Sequence, residues 1–233
     1  MPCLLRLALL CSTLVAVTAA RGDDLGALLT AASAASKPSA PIRGTGELVT
    51  TSPELTTKQQ ITIVQRPNGD LYFELQPSGT RALLRVNGDA LLSPAAGKAA
   101  VPFALDAGLG GSELSREDLM PFSVARFGSP TVVDRNGTET TVSLDPRKPS
   151  QYSLEVITFD REKQAPVKVM VYKDTLSNLL KMRRDSGFVQ VAGRWLPTTV
   201  TMENFSLRST STLTLTWAET ADAPALFDAK SWK

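Results

Sequence analysis

The sequence contains no histidine, and its two cysteines, Cys3 and Cys11, both lie within the first twenty residues. The usual catalytic triads and dyads need histidine or cysteine, and ordinary zinc and copper sites are built from the same side chains. Removal of those twenty residues would also leave no disulfide, so the core alone must stabilise the chain. These absences leave chemistry by carboxylate, Lys, Tyr or Ser/Lys groups open, and we expect no metal site.

An excess of charge of either sign is also missing. The chain has 25 Lys and Arg residues against 23 Asp and Glu residues, a formal net charge of +2, which falls to +1 if Arg6 is lost with the N-terminal segment. A nearly balanced protein offers no electrostatic footprint for nucleic acid or for acidic membranes. Aromatic residues make up 6% of the chain, so few large side chains are present to fill an interior.

Residues 1–20 have the pattern of a signal peptide. Arg6 precedes an apolar run from Leu7 to Val17, and the small residues Thr18, Ala19 and Ala20 follow it. The run is too short to span a bilayer comfortably. We predict that residues 1–20 are cleaved on export.

A helix followed by a sheet is predicted for the rest of the chain. Leu25–Ser36 has helical spacing with acids at its start, and "KPSAP" ends it, so we assign residues 21–41 to an N-terminal helix and linker. From Ile42 onward, short alternating runs are separated by turn residues, without a βαβ pattern. We predict that residues 42–233 form a mainly β (α+β) domain, with ten or eleven strands in one strongly curved antiparallel sheet or a sandwich.

Three Asn-Gly pairs predict β-hairpins, because both residues tolerate positive φ. They are Asn68-Gly69, Asn87-Gly88 and Asn136-Gly137. In the first hairpin, one face is expected to carry Ile61 and Ile63 followed by Leu71, Phe73 and Leu75.

The stretch "STLTLTW", Ser211 to Trp217, alternates hydroxyl and apolar residues, so one face of its strand is apolar. That face either packs in the core or lines a cavity. Nearby, Tyr152, Leu154 and Val156 are expected to face Val167, Val169 and Val171. The candidate cavity residues are Ile61, Ile63, Leu71, Phe73, Leu75, Leu84, Leu154, Val156, Val169, Val171, Leu180, Met182, Val200, Met202, Leu213, Leu215 and Trp217.

Residues 95–127, the central segment, break the strand rhythm. A glycine-rich stretch precedes a predicted short helix, in which Ser115 is the N-cap, Asp118 completes a capping box and Pro121 ends the helix early. The apolar residues of this helix are expected to pack on the concave face of the sheet as a lid; they are Leu114, Leu119, Met120 and Phe122.

Four stretches together resemble the LolA-like outer-membrane lipoprotein-sorting proteins. "GSELSREDLMPF" is similar to the family's "gsDfsyeDL", with Glu113 at a position where the family often has Asp. "YSLEVITFDREKQAPVKVMVYKDTLSNLLKMRR", "VAGRWLPTTVTMEN" and the final "T.l.l" and "lF" elements follow at fitting distances. The resemblance covers roughly residues 42–232.

The resemblance implies a half-open β-barrel whose concave apolar face is roofed by helices. It also implies a periplasmic, non-catalytic carrier that binds lipoprotein or lipid acyl chains, so we expect no catalytic residue and no cofactor. Its partners would be an inner-membrane transporter as donor and an outer-membrane acceptor, and we expect a monomer that binds no nucleic acid. In the best-known member an arginine ties the lid to the sheet, and here Arg81 and Arg85 are both candidates.

Two other functions compete with a lipid carrier. The first is a lipid-sensing or protein-binding regulatory domain on the same scaffold. The second is an enzyme that uses the paired carboxylates of Glu117 and Asp118, although adjacent helical residues point in different directions. We interpret the basic run "KMRRDSG" as a solvated strand edge, with contact to a partner or to lipid headgroups as the alternative.

Overall fold

A computed structural model describes residues 24–175 and 177–232. The predicted signal peptide lies outside the described residues. Within them, no helix has the length and apolarity needed to cross a membrane.

The described residues form fifteen strands and little helix. The strands are β1 (Ile42–Thr51), β2 (Thr56–Gln65), β3 (Leu71–Gln76), β4 (Thr80–Leu84), β5 (Ala90–Ser93), β6 (Val101–Pro102), β7 (Thr131–Asn136), β8 (Glu139–Leu144), β9 (Leu154–Asp160), β10 (Ala165–Tyr172), β11 (Leu179–Ser186), β12 (Val189–Val191), β13 (Arg194–Leu196), β14 (Thr199–Asn204) and β15 (Ser209–Glu219). Helix α1 covers residues 24–35, and helix α2 is Arg116–Leu119. Short 3-10 turns are Leu109–Gly111, Val124–Arg126, Pro224–Phe227 and Ala229–Ser231.

Thirteen strands form one antiparallel sheet in the order β6-β5-β4-β3-β2-β1-β15-β14-β11-β10-β9-β8-β7. β12 and β13 form a separate two-stranded ribbon. The sheet does not close on itself, because β6 and β7 are its two edges. The predicted class, mainly β with one large antiparallel sheet, is confirmed, although several strands were too short to be recognised in the sequence.

The predicted hairpins at the Asn-Gly pairs are confirmed. β2 pairs with β3, β4 with β5 and β7 with β8. Gly69, Gly88 and Gly137 all have positive φ, which is the backbone conformation that these turns need. In each hairpin the turn sets the register, and the register places alternate residues on one face of the sheet.

The two faces of the sheet are both covered, but by different elements. We call the face that contacts the central segment the inner face; it carries a cluster that includes Leu48, Ile63 and Leu213. On the outer face, Tyr72 packs with Phe227 and Trp232 of the C-terminal turns. The C-terminal segment therefore shields the β2–β4 part of the outer face from solvent.

Helix α1 packs on the β8–β9 part of the inner face. Leu25, Leu29 and Ala32 are spaced at i, i+4 and i+7 and are buried against Val142, Leu144, Ile157 and Phe159. This spacing gives the helix one apolar stripe, which the sheet covers.

The interpretation of "KMRRDSG" as a strand edge is wrong. β11, which contains Lys181 to Ser186, is an interior strand paired on both sides, with β10 and with β14. Lys181 is 6% exposed. Its charge is held by partners that are distant in sequence, which no local pattern reports.

Candidate functional site

A cavity of about 190 Å³ lies between the inner face, the end of helix α1 and the central segment. Its apolar wall comes from strands in both halves of the sheet. Members of that wall include Ile63, Leu71, Phe73, Ile157, Val169, Val171, Val200, Met202, Leu213, Leu215 and Trp217. The central segment contributes Leu114, Leu119, Met120, Pro121, Phe122 and Phe127 from the opposite side.

Beside the cavity, the central segment fills the inner face with its own side chains. Phe103, Leu109 and Leu114 are buried in the same cluster as the sheet residues Ile61 and Leu75. A methyl group on Gly110 would lie 2.1 Å from Leu75 Cδ1, so the backbone touches the sheet there. The inner face is thus packed around Ile61 and Leu75 and hollow from Ile63 and Phe73 toward β10, β14 and β15.

Helix α2 is attached to the sheet through the carboxylate of Asp118. Ser115 and Asp118 form the predicted capping box. The same carboxylate accepts a hydrogen bond from Tyr152 Oη at 2.6 Å and forms an ion pair with Lys181 Nζ at 3.0 Å. The Arg183 Nη1 group donates to the carbonyl of Asp118 at 3.0 Å. A one-turn helix, too short to be stable alone, is thereby held against β11.

Glu113 makes a second attachment, to β14 and β15. Asn204 Nδ2 donates to Glu113 Oε2 at 2.6 Å, and the Ser209 hydroxyl donates to Oε1 at 2.5 Å. The Glu113 amide donates to Ser211 Oγ at 2.8 Å, and Lys181 Nζ donates to the Glu113 carbonyl at 2.8 Å. A longer carboxylate than aspartate therefore spans the gap to two strands here.

The acidic end of the cavity contains Glu117 and Glu155. Glu117 accepts hydrogen bonds from Ser150 Oγ at 2.6 Å and from the Gln151 amide at 2.9 Å. Arg126 lies 3.6 Å from Glu117 and 3.8 Å from Glu155, so one cation is shared by two carboxylates. Burial, partly offset by Arg126, raises the pKa of Glu155 to about 7.

The basic end of the cavity contains Arg183 and Arg194. Arg183 forms a bidentate pair with Asp185, with distances of 2.7 and 2.8 Å. Arg194, on the β12–β13 ribbon, donates through Nη1 to Gln65 Oε1. Burial and the neighbouring charge of Arg183 lower the pKa of Arg194 to about 10.

In sequence comparisons, no family model matches the chain and no curated protein matches it significantly. Solved structures do. A domain of an outer membrane lipoprotein-sorting protein from Vibrio parahaemolyticus superposes with a TM-score of 0.74 at 18% identity, covering 84% of this chain and 92% of that one.

A DUF1329 family protein from Desulfovibrio piger gives a TM-score of 0.76 at 15% identity, covering 89% and 98%. A LolA superfamily protein from Nitrosomonas europaea gives 0.67 at 16% identity, covering 87% and 96%. The chain has the LolA-like fold. The resemblance in the four sequence stretches is therefore confirmed at the level of fold.

Within the LolA-like fold, ten of the seventeen candidate cavity residues line the cavity, as do all four residues predicted for the lid. The ten are Ile63, Leu71, Phe73, Val169, Val171, Val200, Met202, Leu213, Leu215 and Trp217. Ile61, Leu75 and Leu84 are also on the inner face, but in its packed part. Whether any of them contacts a lipid stays a prediction.

Leu154, Val156, Leu180 and Met182 were expected on the cavity side and are not. Residues opposite each other in an antiparallel pair share a face, and Val171 lies opposite Glu155 and Lys181. Glu155 and Lys181 thus face inward, and their apolar neighbours in sequence face outward. The prediction that Leu154 and Val156 face Val169 and Val171 is therefore wrong, because the actual register differs from the predicted one by one residue.

Arg81 and Arg85, the two candidates for an arginine that ties the lid to the sheet, do not reach the central segment. Arg81 lies 3.3 Å from Glu74, and Arg85 donates to the Phe227 carbonyl at 3.2 Å on the outer face. Lys181 and Arg183 contact the LolA-like central segment instead. Their inward direction could have been found only by assigning the correct strand register to "KMRRDSG".

Proposed function

We propose that the protein is a periplasmic carrier that binds acyl chains of lipoproteins or of another lipid in the cavity and moves them toward the outer membrane. The observation that carries this proposal is the hollow, apolar part of the inner face beneath the central segment. The LolA-like fold supports it, and so does the predicted signal peptide. In this proposal the central segment, residues 95–127, acts as the lid of the domain formed by residues 42–233.

The energetics of the cargo favour an enclosed carrier. A buried methylene gains about 0.8 kcal/mol, so roughly forty to fifty methylenes of a triacylated lipoprotein would cost on the order of 30–40 kcal/mol to expose to water. Three acyl chains need more space than the cavity offers in this structure, because an apolar cavity of about 150 Å³ holds a benzene-sized molecule. A carrier would therefore have to open by moving the central segment.

Catalysis is not part of the proposal. Glu117 and Asp118 accept hydrogen bonds from different partners, Ser150 and Gln151 in one case and Tyr152 in the other. Each carboxylate thus joins the central segment to the chain just before β9. We accordingly propose a binding protein that acts as a monomer between a donor transporter and an outer-membrane acceptor.

The first experiment asks whether the purified protein binds acyl chains and transfers them. Native mass spectrometry should detect bound lipid, and a fluorescent triacylated lipopeptide should move between two populations of vesicles when the protein is added. Val169→Glu places a charge in the apolar wall and should reduce both binding and transfer at least tenfold. Met170→Glu is the matched control, because Met170 is next in sequence and faces the other side.

Three outcomes separate the alternatives. Absence of bound lipid and of probe uptake would contradict the proposal. Lipid binding without transfer between vesicles would favour the regulatory alternative, a lipid-sensing or protein-binding domain. Equal loss in Val169→Glu and Met170→Glu, with both proteins folded, would show that the cavity is not the binding site.

A further inference from the structure

The cavity is apolar in the middle and charged at both ends. In the paired strands, Glu155, Val171 and Lys181 form one row across the inner face, and Ile157, Val169 and Arg183 form the next row. The two rows are two residues apart along the strands, a rise of roughly 7 Å. The acidic end and the basic end are therefore distinct places in the cavity wall.

The acidic end has three carboxylates and two cations. Lys181 pairs with Asp118, and Arg126 lies within 4 Å of both Glu117 and Glu155. An anionic ligand group would meet carboxylates there and would be repelled.

At the basic end two guanidiniums, those of Arg183 and Arg194, share the charge of one carboxylate, Asp185. Arg183 makes the bidentate contact with Asp185. In the part of the chain that the structure describes, Arg194 forms no ion pair, and its side chain donates a hydrogen bond to Gln65 Oε1. Gln65 is itself fixed, because its Nε2 donates to the Ser36 carbonyl at 3.2 Å.

A guanidinium in this setting is suited to bind an anion. It carries five N–H donors in a planar fork that matches carboxylate and phosphate oxygens, and Gln65 accepts from a single nitrogen. Reduced contact with water strengthens the attraction between Arg194 and any anion that enters the cavity. The lowered pKa of Arg194 reflects the same loss of solvation.

The rim next to Arg194 carries a second cation and two aromatic rings. Lys163 Nζ lies 5.8 Å from the ring centre of Trp195 and 5.9 Å from that of Phe188, and all three residues line the cavity. Lys163 is paired with Asp160 at 2.6 Å. The rim therefore adds aromatic surface for the part of an acyl chain next to its head group. Arg194 supplies the excess positive charge.

We propose that the preferred guest is an amphiphile with an anionic carboxylate or phosphate head, whose head binds Arg194 and whose acyl chain lies along Val169, Leu213 and Leu215. This inference rests on the proposed function and names its ligand class. It distinguishes the cavity from a purely apolar one, which would bind neutral and anionic amphiphiles alike.

The test compares 11-(dansylamino)undecanoic acid with its methyl ester at pH 8, by fluorescence titration of the purified protein. The two probes share one chain and differ in charge, so the acid should bind at least tenfold more tightly. Arg194→Gln should reduce this ratio to within twofold, and Arg194→Lys should retain part of it. Arg184→Gln is the control, because Arg184 follows Arg183 on the same strand, pairs with Glu203 and lies outside the cavity.

The possible results have different meanings. If acid and ester bind equally to the wild-type protein, the inference is overturned and the proposed carrier function stands. If neither binds, the carrier function fails as well. If the acyl chain is required for binding, millimolar inorganic phosphate at constant ionic strength should weaken the apparent affinity for the acid less than twofold. Displacement of the acid by phosphate alone would reassign the site to a free anion. The ratio in the wild-type protein decides the question even if Arg194→Gln does not fold.

Discussion

At the scale of single residues, Glu155 is the most unusual group of the inner face. Its side chain is buried, and it shares its nearest cation, Arg126, with the fully hydrogen-bonded Glu117. Desolvation favours the protonated form of a carboxyl group, which is why the pKa of Glu155 rises from 4.5 to about 7. The folded state therefore binds this proton more tightly than the unfolded state does.

The raised pKa of Glu155 predicts a pH-dependent stability. Between pH 4.5 and 7 the folded state binds more protons than the unfolded state, so the contribution of Glu155 to the free energy of unfolding falls as the pH rises and is lost above about pH 7. A shift of this size corresponds to about 3 kcal/mol. As the pH rises from 5 to 8, the free energy of unfolding of Glu155→Gln should therefore increase relative to that of wild type by up to about 3 kcal/mol. Urea denaturation measures both values.

The control for Glu155 is Glu162→Gln, which removes the same charge from an exposed side chain. The difference in free energy of unfolding between Glu162→Gln and wild type should change far less between pH 5 and pH 8 than the difference between Glu155→Gln and wild type. Parallel pH profiles for Glu155→Gln and wild type would contradict the prediction.

Trp217 illustrates what can be predicted for a residue and what cannot. The alternation in "STLTLTW" correctly places Trp217 on the same face as Leu213 and Leu215, because strand side chains alternate with a period of two. Its ring lies over Gly44 of β1, where an added Cβ would be 2.7 Å from the indole. Gly44 is the partner because β1 pairs with β15, and more than 160 residues separate Gly44 from Trp217 in sequence. Local periodicity does not predict such a pairing.

At the scale of elements, hairpins were predictable and strand faces were less so. The three Asn-Gly turns determine their hairpins locally. In β9 to β11, by contrast, apolar residues occur at both odd and even positions, as in "LEVITF", so alternation does not distinguish the faces. The face is decided by contacts with the central segment, whose Asp118 and Glu113 draw Lys181 inward.

Helix α2 depends on tertiary contacts for its existence. A helix of four residues has almost no stability of its own, and its partners are Tyr152, Lys181 and Arg183. The capping box was predictable because both of its residues lie within the helix sequence. The attachment to β11 was not, since it joins residues 63 positions apart.

The ion pair between Lys181 and Asp118 predicts a large effect of removing one partner. Lys181→Met leaves the Asp118 carboxylate buried without its cation, which should lower the free energy of unfolding by about 3 kcal/mol. The double variant Lys181→Met/Asp118→Asn should recover part of this loss, because it removes both charges. Chemical denaturation measures both values.

The control for Lys181 is Arg184→Met on the same strand. Arg184 forms an exposed pair with Glu203 at 2.9 Å, and exposed pairs contribute at most about 1 kcal/mol. Equal destabilisation by Lys181→Met and Arg184→Met would contradict a specific role for the buried pair.

At the scale of the whole molecule, an open sheet of thirteen strands is the framework of the described residues. Two covers compensate for its lack of closure: helix α1 with the central segment on the inner face, and the C-terminal turns on the outer face. The inner cover combines apolar packing with hydrogen bonds from Glu113 and Asp118 to the sheet. Such an arrangement allows the cover to detach with little loss of strand pairing, because the short edge strand β6 is the part of the central segment that belongs to the sheet.

Detachment of the central segment should limit ligand entry, because the cavity beneath it has a volume of about 190 Å³, close to that of a site for one benzene-sized molecule. In stopped-flow mixing with excess 11-(dansylamino)undecanoic acid, the observed rate should reach a plateau set by opening. Tyr152→Phe removes the 2.6 Å bond to Asp118 without changing the ring, so the plateau should rise about tenfold or more, since a hydrogen bond to a charged group contributes about 1.5–3 kcal/mol. Tyr72→Phe, a buried tyrosine on the outer face, should stay within twofold of wild type. Identical plateaus in Tyr152→Phe and wild type, or a rate that rises linearly with probe concentration, would show that opening at Asp118 does not control entry.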